Sequence, residues 1–241
     1  MRVFDIHLHI VDPRFPLVPN QGYLPDPFTA DDYGARFAAA GGAVVSGSFQ
    51  AYDQTYLIDA LQWLGPTFVG VAQVPPDITD EEVLALREHG VCAFRANFTR
   101  GTVPEGLLDL ARRFEALAGW HLEVYADTRD LPPLPGVRLV IDHLGGPEAA
   151  LPTTLRLVEQ GAHVKATRFG ASDHDVSRTL REIAATNPAA LLFGTDLPGT
   201  RAPRPFEPRD LELVLEHAGE RALWDNAAAV YLRDGPRDTA G

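Results

Sequence analysis

The chain lacks the sequence features that are typical of secreted, membrane-spanning or nucleic-acid-binding proteins. Its 241 residues include one cysteine, Cys92, so no internal disulfide can form, and its apolar neighbours in the sequence predict a buried small hydrophobe. No run of about 18 apolar residues predicts a membrane span. Lysine and arginine number 21 against 33 acidic residues, and the formal net charge of −12 disfavours binding to nucleic acid or anionic membranes. Because no signal-peptide pattern follows Met1, we expect a cytoplasmic protein.

Apolar runs of strand length alternate with amphipathic segments along the whole chain. The runs are rich in valine, isoleucine, leucine, phenylalanine and alanine, a composition typical of parallel strands covered by helices. They span residues 3–10, 43–49, 68–74, 91–98, 121–126, 138–144, 162–169 and 191–197. Eight βα units of this kind predict a closed (β/α)8 barrel, a TIM barrel, with an open doubly wound sheet as the alternative.

The organisation predicted from these runs is a single domain over residues 1–233 followed by a frayed polar tail, 234–241. Residues 127–137 hold three prolines, so we expect the helix between the fifth and sixth strands to be reduced to a turn or two. The segments 11–28 and 198–208 carry five and four prolines and follow strand ends. In a barrel that rim carries the active site, so both segments are predicted walls of a pocket.

Two histidines, His7 and His9, lie on the first predicted strand. Strict alternation puts them on one face with Asp5, and it puts Phe4 and Ile6 on the other, helix-covered face. Inside a barrel, unpaired imidazoles are costly unless they bind a metal, a ligand or hydrogen-bond partners. A simple buried, hydrogen-bonded pair is the alternative to a functional one.

Asp196 and His143 end two further apolar runs at the same rim. Barrel closure places the last strand beside the first, so Asp196 is expected near His7 and His9. One carboxylate beside two imidazoles is a plausible site for a divalent ion, and Asp196 could also take a proton from an attacking water. His143 could polarise a carbonyl. A helix cap or salt bridge for Asp196, and a packing role for His143, are the alternatives.

Four motifs, taken in order, resemble the amidohydrolase superfamily, and more narrowly the branch that includes 2-pyrone-4,6-dicarboxylate lactonase and sugar lactonases. They are D-x-H-x-H at 5–9, I-D-H-L-G-G-P at 141–147, G-T-D-L-P at 194–198 and W-D-N-A-A-A-V-Y-L at 224–232. The resemblance implies a distorted TIM barrel and attack of water on a lactone, ester or amide carbonyl. It implies catalytic roles for His7, His9, His143 and Asp196.

The same resemblance implies how substrate is held. Arg95 and Arg100 are similar to fourth-strand arginines that bind substrate carboxylates, and Tyr125 to a fifth-strand tyrosine that orients substrate; Arg168, after the seventh strand, is expected to join them. Metal-binding relatives have a histidine where this chain has Tyr125. The expectation is therefore one weakly held zinc or manganese ion on His7, His9 and Asp196, or none.

The leading hypothesis is a hydrolase of a small acidic lactone, or a related ester or amide, with water activated by Asp196. One alternative is a metal-dependent decarboxylase or hydratase of a small aromatic acid. Another is a barrel that binds a small molecule without turnover. A homo-oligomer is compatible with all three.

Overall fold

The computed structural model describes residues 1–101, 103–171 and 175–232. Its eight strands form one parallel sheet in sequence order. The strands are β1 (Phe4–Leu8), β2 (Gly41–Val45), β3 (Phe68–Ala72), β4 (Val91–Asn97), β5 (His121–Tyr125), β6 (Leu139–Ile141), β7 (His163–Ala166) and β8 (Leu191–Phe193). All eight predicted strands are confirmed, and most end a few residues earlier than the apolar runs. The expected frayed tail, 234–241, lies outside the described residues.

Helices cover the outside of the sheet. They are α1 (Ala30–Arg36), α2 (Thr55–Leu64), α3 (Asp80–Glu88), α4 (Leu107–Ala118), α5 (Leu151–Glu159), α6 (Val176–Thr186), α7 (Pro208–Ala218) and α8 (Asp225–Tyr231). The link between β5 and β6 is described throughout, and it contains one 3-10 turn, Thr128–Asp130, in place of an α-helix. This confirms the reduced helix predicted from the prolines. No helix in the described part of the chain is long and apolar enough to cross a membrane.

The barrel closes where β8 meets β1. The amide of Asp196 donates to the carbonyl of His7 at 2.7 Å, and the amide of His9 donates to the carbonyl of Leu197 at 2.8 Å. Leu8 and Leu197 form a parallel bridge at the same place. The closure therefore brings the end of β8 against the histidine strand, as the barrel prediction requires.

The alternation predicted for β1 is wrong at its start. The β1–β2 register shifts between Asp5 and Leu8, so β1 carries a bulge. Phe4 and Ile6 pack in one cluster with side chains from β3, β6 and β8, strands that meet only inside the barrel. Asp5 instead accepts hydrogen bonds from Tyr33 of α1 and from Thr195. His7 reaches the interior because the bulge adds one residue.

Cys92, on β4, also differs from expectation. Its side chain is partly exposed and not fully buried. It still packs against the cluster that contains Phe4 and Ile6, so the apolar surroundings predicted for it are present on one side.

Candidate active site

Four polar side chains meet at the end of the barrel where the strands terminate. His7 and His9 come from β1, His143 follows β6 and Asp196 follows β8. The Nε2 atoms of His7 and His9 each lie 3.6 Å from Oδ1 of Asp196. The ring of His143 lies 4.9 Å from that of His7. The structure therefore brings together all four residues predicted to be catalytic.

The hydrogen-bonding capacity of this group is incompletely used. His9 Nδ1 lies 2.8 Å from the carbonyl of Val45, so His9 donates there and leaves the lone pair on Nε2 facing Asp196. Nε2 of His7 and both carboxylate oxygens of Asp196 are buried without a hydrogen-bond partner among the described residues. Buried polar atoms are rarely left unpaired, so these atoms point to a bound ion, water or substrate.

The donor set has the geometry of a mononuclear metal site. One ligand atom from each of His7, His9 and Asp196 lies within 4.8 Å of the others. Two ligands held about 2.1 Å from an ion at a tetrahedral angle are about 3.4 Å apart, close to the two 3.6 Å separations. Three protein ligands with open positions fit one ion, so the set fits the predicted zinc or manganese. Tyr125 occupies the place where metal-binding relatives are expected to have a further histidine.

The site holds Asp196 ionised and both His7 and His143 neutral. Burial alone would raise the pKa of Asp196, but His143, His9 and His7 hold it well below its usual value. The protein packed around His143 lowers its pKa to about 4, against the partial opposition of Asp196. Burial likewise holds the pKa of His7 well below its usual value. At neutral pH the carboxylate base thus lies beside the uncharged imidazoles of His7 and His143.

Four residues around the site adopt left-handed backbone conformations. The φ angles are 51° at His143, 60° at Arg168, 56° at Asp196 and 58° at Arg201. Such angles are uncommon for residues other than glycine, and they cluster where a fold constrains functional side chains. The strand ends therefore turn sharply here, which aims these side chains across the mouth of the barrel.

Arg95 lies deep in the barrel, and its guanidinium already forms hydrogen bonds within the protein. Its Nε and Nη2 donate to one oxygen of Asp142 at 3.0 and 2.7 Å, and its Nη1 donates to the carbonyl of Ser46 at 3.0 Å. The guanidinium is nearly fully buried, yet it lines the pocket. Most of its donors are thus already used, and its role in substrate binding stays a prediction.

The remaining predicted substrate-binding residues line one cleft together with His9 and His143. They are Arg100, Arg168 and Tyr125. Arg201 joins them, which sequence reasoning missed. Within the described ranges no carboxylate forms an ion pair with Arg100, Arg168 or Arg201. In a chain with a net charge of −12, an open group of three guanidiniums has the charge and the donors that could bind an anion.

The segment 11–28 holds two of these arginines in place. The side chain of Asn20 donates to the carbonyl of Arg100 at 2.9 Å, and Arg100 Nη1 donates to Gln21 at 2.7 Å. Arg201 donates to the carbonyl of Asn20 and lies 4.3 Å from the ring centre of Tyr23. This proline-rich segment is therefore a wall of the pocket, as predicted. His174, which follows the seventh strand in the sequence and is therefore a candidate for contact with a ligand, lies outside the described residues.

A buried ionic layer beneath the site was also missed. Glu123 on β5, Asp142 after β6 and Lys165 on β7 are fully buried side chains of the barrel interior. One sign of this layer was present in the sequence, a charged residue inside an apolar run. A charge buried in such a run is costly unless an opposite charge pairs with it. These three residues come from different strands. Which of them pair depends on how the strands stack inside the barrel, and the sequence of one strand does not show this.

The lowered pKa of the half-buried His163 predicts that acid destabilises the fold. Burial, followed by His121, lowers the pKa of His163 to about 4. Between about pH 6.5 and 4 the unfolded chain therefore binds more protons at this residue than the folded one, so its stabilising contribution is lost as the pH falls. We expect His163→Gln to reduce the loss of free energy of unfolding between pH 7 and 5 by on the order of 1 kcal/mol. Urea titrations at the two pH values measure it, and an unchanged difference would contradict the assignment.

Comparisons with known proteins agree with this architecture. A family model described as amidohydrolase matches residues 4–233. A 2-pyrone-4,6-dicarboxylate hydrolase of Comamonas testosteroni is 32% identical over 159 residues, which cover 60% of this chain and 52% of that protein. This chain thus matches about half the length of that curated relative.

Solved structures show the same fold at lower identity. A probable 2-pyrone-4,6-dicarboxylic acid hydrolase of Acinetobacter baumannii, with citric acid bound, superposes with a TM-score of 0.82 at 19% identity, over 96% of this chain and 99% of that one. A protein of Agrobacterium tumefaciens, without ligand, gives a TM-score of 0.81 at 22% identity over 96% of each chain. These likenesses establish the fold alone.

Proposed function

Because the chain belongs to the amidohydrolase family, we propose that it hydrolyses a small lactone bearing carboxylates, with Asp196 as the general base. The observation that carries this proposal is the carboxylate of Asp196, whose two buried oxygens lack hydrogen-bond partners within the described chain. It faces two imidazoles beside a cleft lined by arginines. The relative from Comamonas testosteroni, a hydrolase of a pyrone dicarboxylate, supports the substrate class.

The reaction divides between a base and a donor. Asp196 takes a proton from water as the water oxygen bonds to the lactone carbonyl carbon. When the Thr167 hydroxyl, 2.7 Å from Nδ1 of His143, donates to that atom, His143 keeps its proton on Nε2 and can donate a hydrogen bond to the developing oxyanion. Collapse of the tetrahedral intermediate breaks the ring C–O bond. The leaving oxygen then receives the proton held by Asp196.

His7, His9 and Asp196 would hold a divalent ion if one binds. Such an ion supplies a positive charge that polarises a carbonyl or lowers the pKa of water. The base and donor roles above belong to the side chains themselves. The cytoplasmic location and a homo-oligomeric state remain predictions.

Arg100 and Arg168 provide a test of carboxylate binding. We expect Arg100→Met and Arg168→Met each to raise KM for a dicarboxylic lactone by about tenfold or more, since a hydrogen bond to a charged group contributes about 1.5–3 kcal/mol. Because the carboxylates are bound in both ground and transition states, kcat changes less. Steady-state kinetics measure both constants. Arg156→Met, on the exposed face of α5, is the matched control, and an equal rise in its KM would count against the proposal.

The substrate class is tested by turnover across dicarboxylic, monocarboxylic and neutral lactones, together with aromatic acids. We expect kcat/KM to fall with each carboxylate removed. Release of carbon dioxide from an aromatic acid, with stoichiometric zinc in the protein, would favour a decarboxylase instead. Thermal stabilisation by these compounds without any turnover would favour a binding protein.

A further inference from the structure

A buried ammonium lies directly behind His7, one of the three site histidines. Nζ of Lys165 is 3.0 Å from Nδ1 of His7, on the opposite side of the ring from Asp196. Both side chains are fully buried. The contact is therefore shielded from water, and its electrostatic consequences are stronger than those of a surface contact.

The position of this ammonium is fixed from below. Lys165 donates to one oxygen of Glu123. The other oxygen of Glu123 accepts from the hydroxyl of Tyr231, on α8, at 2.6 Å. Because both oxygens of this carboxylate accept hydrogen bonds, Glu123 holds Lys165 in place between α8 and the site.

Asp142 is a weaker partner than Lys165 for Nδ1 of His7. Its Oδ1 lies 3.1 Å from Nζ of Lys165 but outside hydrogen-bond alignment, and 3.5 Å from Nδ1 of His7. Its other oxygen accepts two bonds from Arg95. The shortest contact of His7 Nδ1 in this group is thus with Lys165, which has three donors and no acceptor.

An ammonium can be a hydrogen-bond partner for Nδ1 only if that nitrogen carries the lone pair. We propose that Lys165 is a positioning residue that keeps the proton of neutral His7 on Nε2, pointing towards Asp196. His7 then directs its Nε2–H towards the carboxylate base, 3.6 Å away, and Nε2 would have to lose that proton before it could ligate a metal ion, because a ligating nitrogen needs its lone pair. His9 has the reverse arrangement, since its Nδ1 donates to Val45.

The pairing of buried charges agrees with this role. Glu123 and Asp142 are matched by Lys165 and Arg95, whereas no lysine or arginine among the described residues forms an ion pair with Asp196. A donor on His7 Nε2 partly compensates that charge without a metal ion. The effect on catalysis rests on the proposed function, whereas the tautomer does not.

The test is long-range proton–nitrogen NMR of the folded protein labelled with 15N at histidine, without substrate or metal. We expect His7 to show its proton on Nε2, and His9, in the same spectrum, to show its proton on Nδ1. Assignments come from His7→Gln and His9→Gln spectra. A proton on Nδ1 of His7 in the wild-type protein would overturn the proposal, whatever the enzyme turns over.

A double variant tests the cause. Lys165→Met with Glu123→Gln removes one positive and one negative buried charge together, and the amide oxygen of the new glutamine keeps an acceptor for Tyr231. We expect the proton of His7 to move to Nδ1, with Asp142 as its acceptor. We expect zinc affinity, measured by competition with a chromophoric chelator, to rise by about 10–100-fold, the usual effect of a changed outer-shell partner. An unchanged tautomer and zinc affinity in the folded variant would show that Lys165 is purely structural.

Discussion

Asp196→Asn is expected to lower kcat on a dicarboxylic lactone by about two to four orders of magnitude. General-base catalysis contributes about 10²–10⁴-fold, and asparagine cannot accept the proton of the attacking water. The change is nearly isosteric, so substrate should still bind and KM should change little. Steady-state kinetics measure both constants.

The fold should tolerate this substitution. Asp196 has a φ of 56°, a conformation that asparagine adopts more readily than most residues. Its carboxylate oxygens accept no hydrogen bond within the described chain, so little native bonding is lost. We therefore expect the melting temperature to remain within a few degrees of wild type. A variant with full turnover would exclude Asp196 as the base, and one that unfolds would be replaced by Asp196→Ser.

The second large effect concerns stability. Arg95→Met should lower the free energy of unfolding by about 3–5 kcal/mol, since it leaves the buried carboxylate of Asp142 without its guanidinium partner. Burial opposes the charge of Arg95, but Asp142, Glu123 and Asp196 more than offset it and raise its pKa. Urea unfolding measures the loss.

A double variant that removes both charges of the pair distinguishes a structural role of Arg95 from a role in substrate binding. Arg95→Met with Asp142→Asn removes both charges and leaves Lys165 paired with Glu123, so much of the stability should return. If Arg95→Met instead keeps its stability and raises KM alone, Arg95 is a substrate ligand, as its position in the sequence suggested.

The fold was predictable because its signals are local. Each strand is an apolar run, and the sequence T-D-E-E at 79–82 has the pattern of the capping box that Thr79 and Glu82 form at the start of α3. The proline content of residues 127–137 predicted that no full helix would form between β5 and β6. Strand order and closure then follow from the preference for right-handed βαβ units.

The site was predictable where its residues end strands, and not where they pair inside the barrel. His7, His9, His143 and Asp196 could be placed because parallel strands finish at one rim. The bulge in β1 could not be foreseen, since alternation assumes an unbroken ladder. Nor could the partner of Arg95, because Asp142 comes from a strand two places away in the sheet.

The most direct test of the account is hydrolysis of 2-pyrone-4,6-dicarboxylate in 18O-enriched water by the wild-type protein and by Asp196→Asn. We expect the wild-type product to carry one 18O atom in the carboxylate formed from the lactone carbonyl. The variant should form the same product at least about 100-fold more slowly. Equal rates for both proteins, or loss of carbon dioxide without uptake of 18O, would contradict water activation by Asp196.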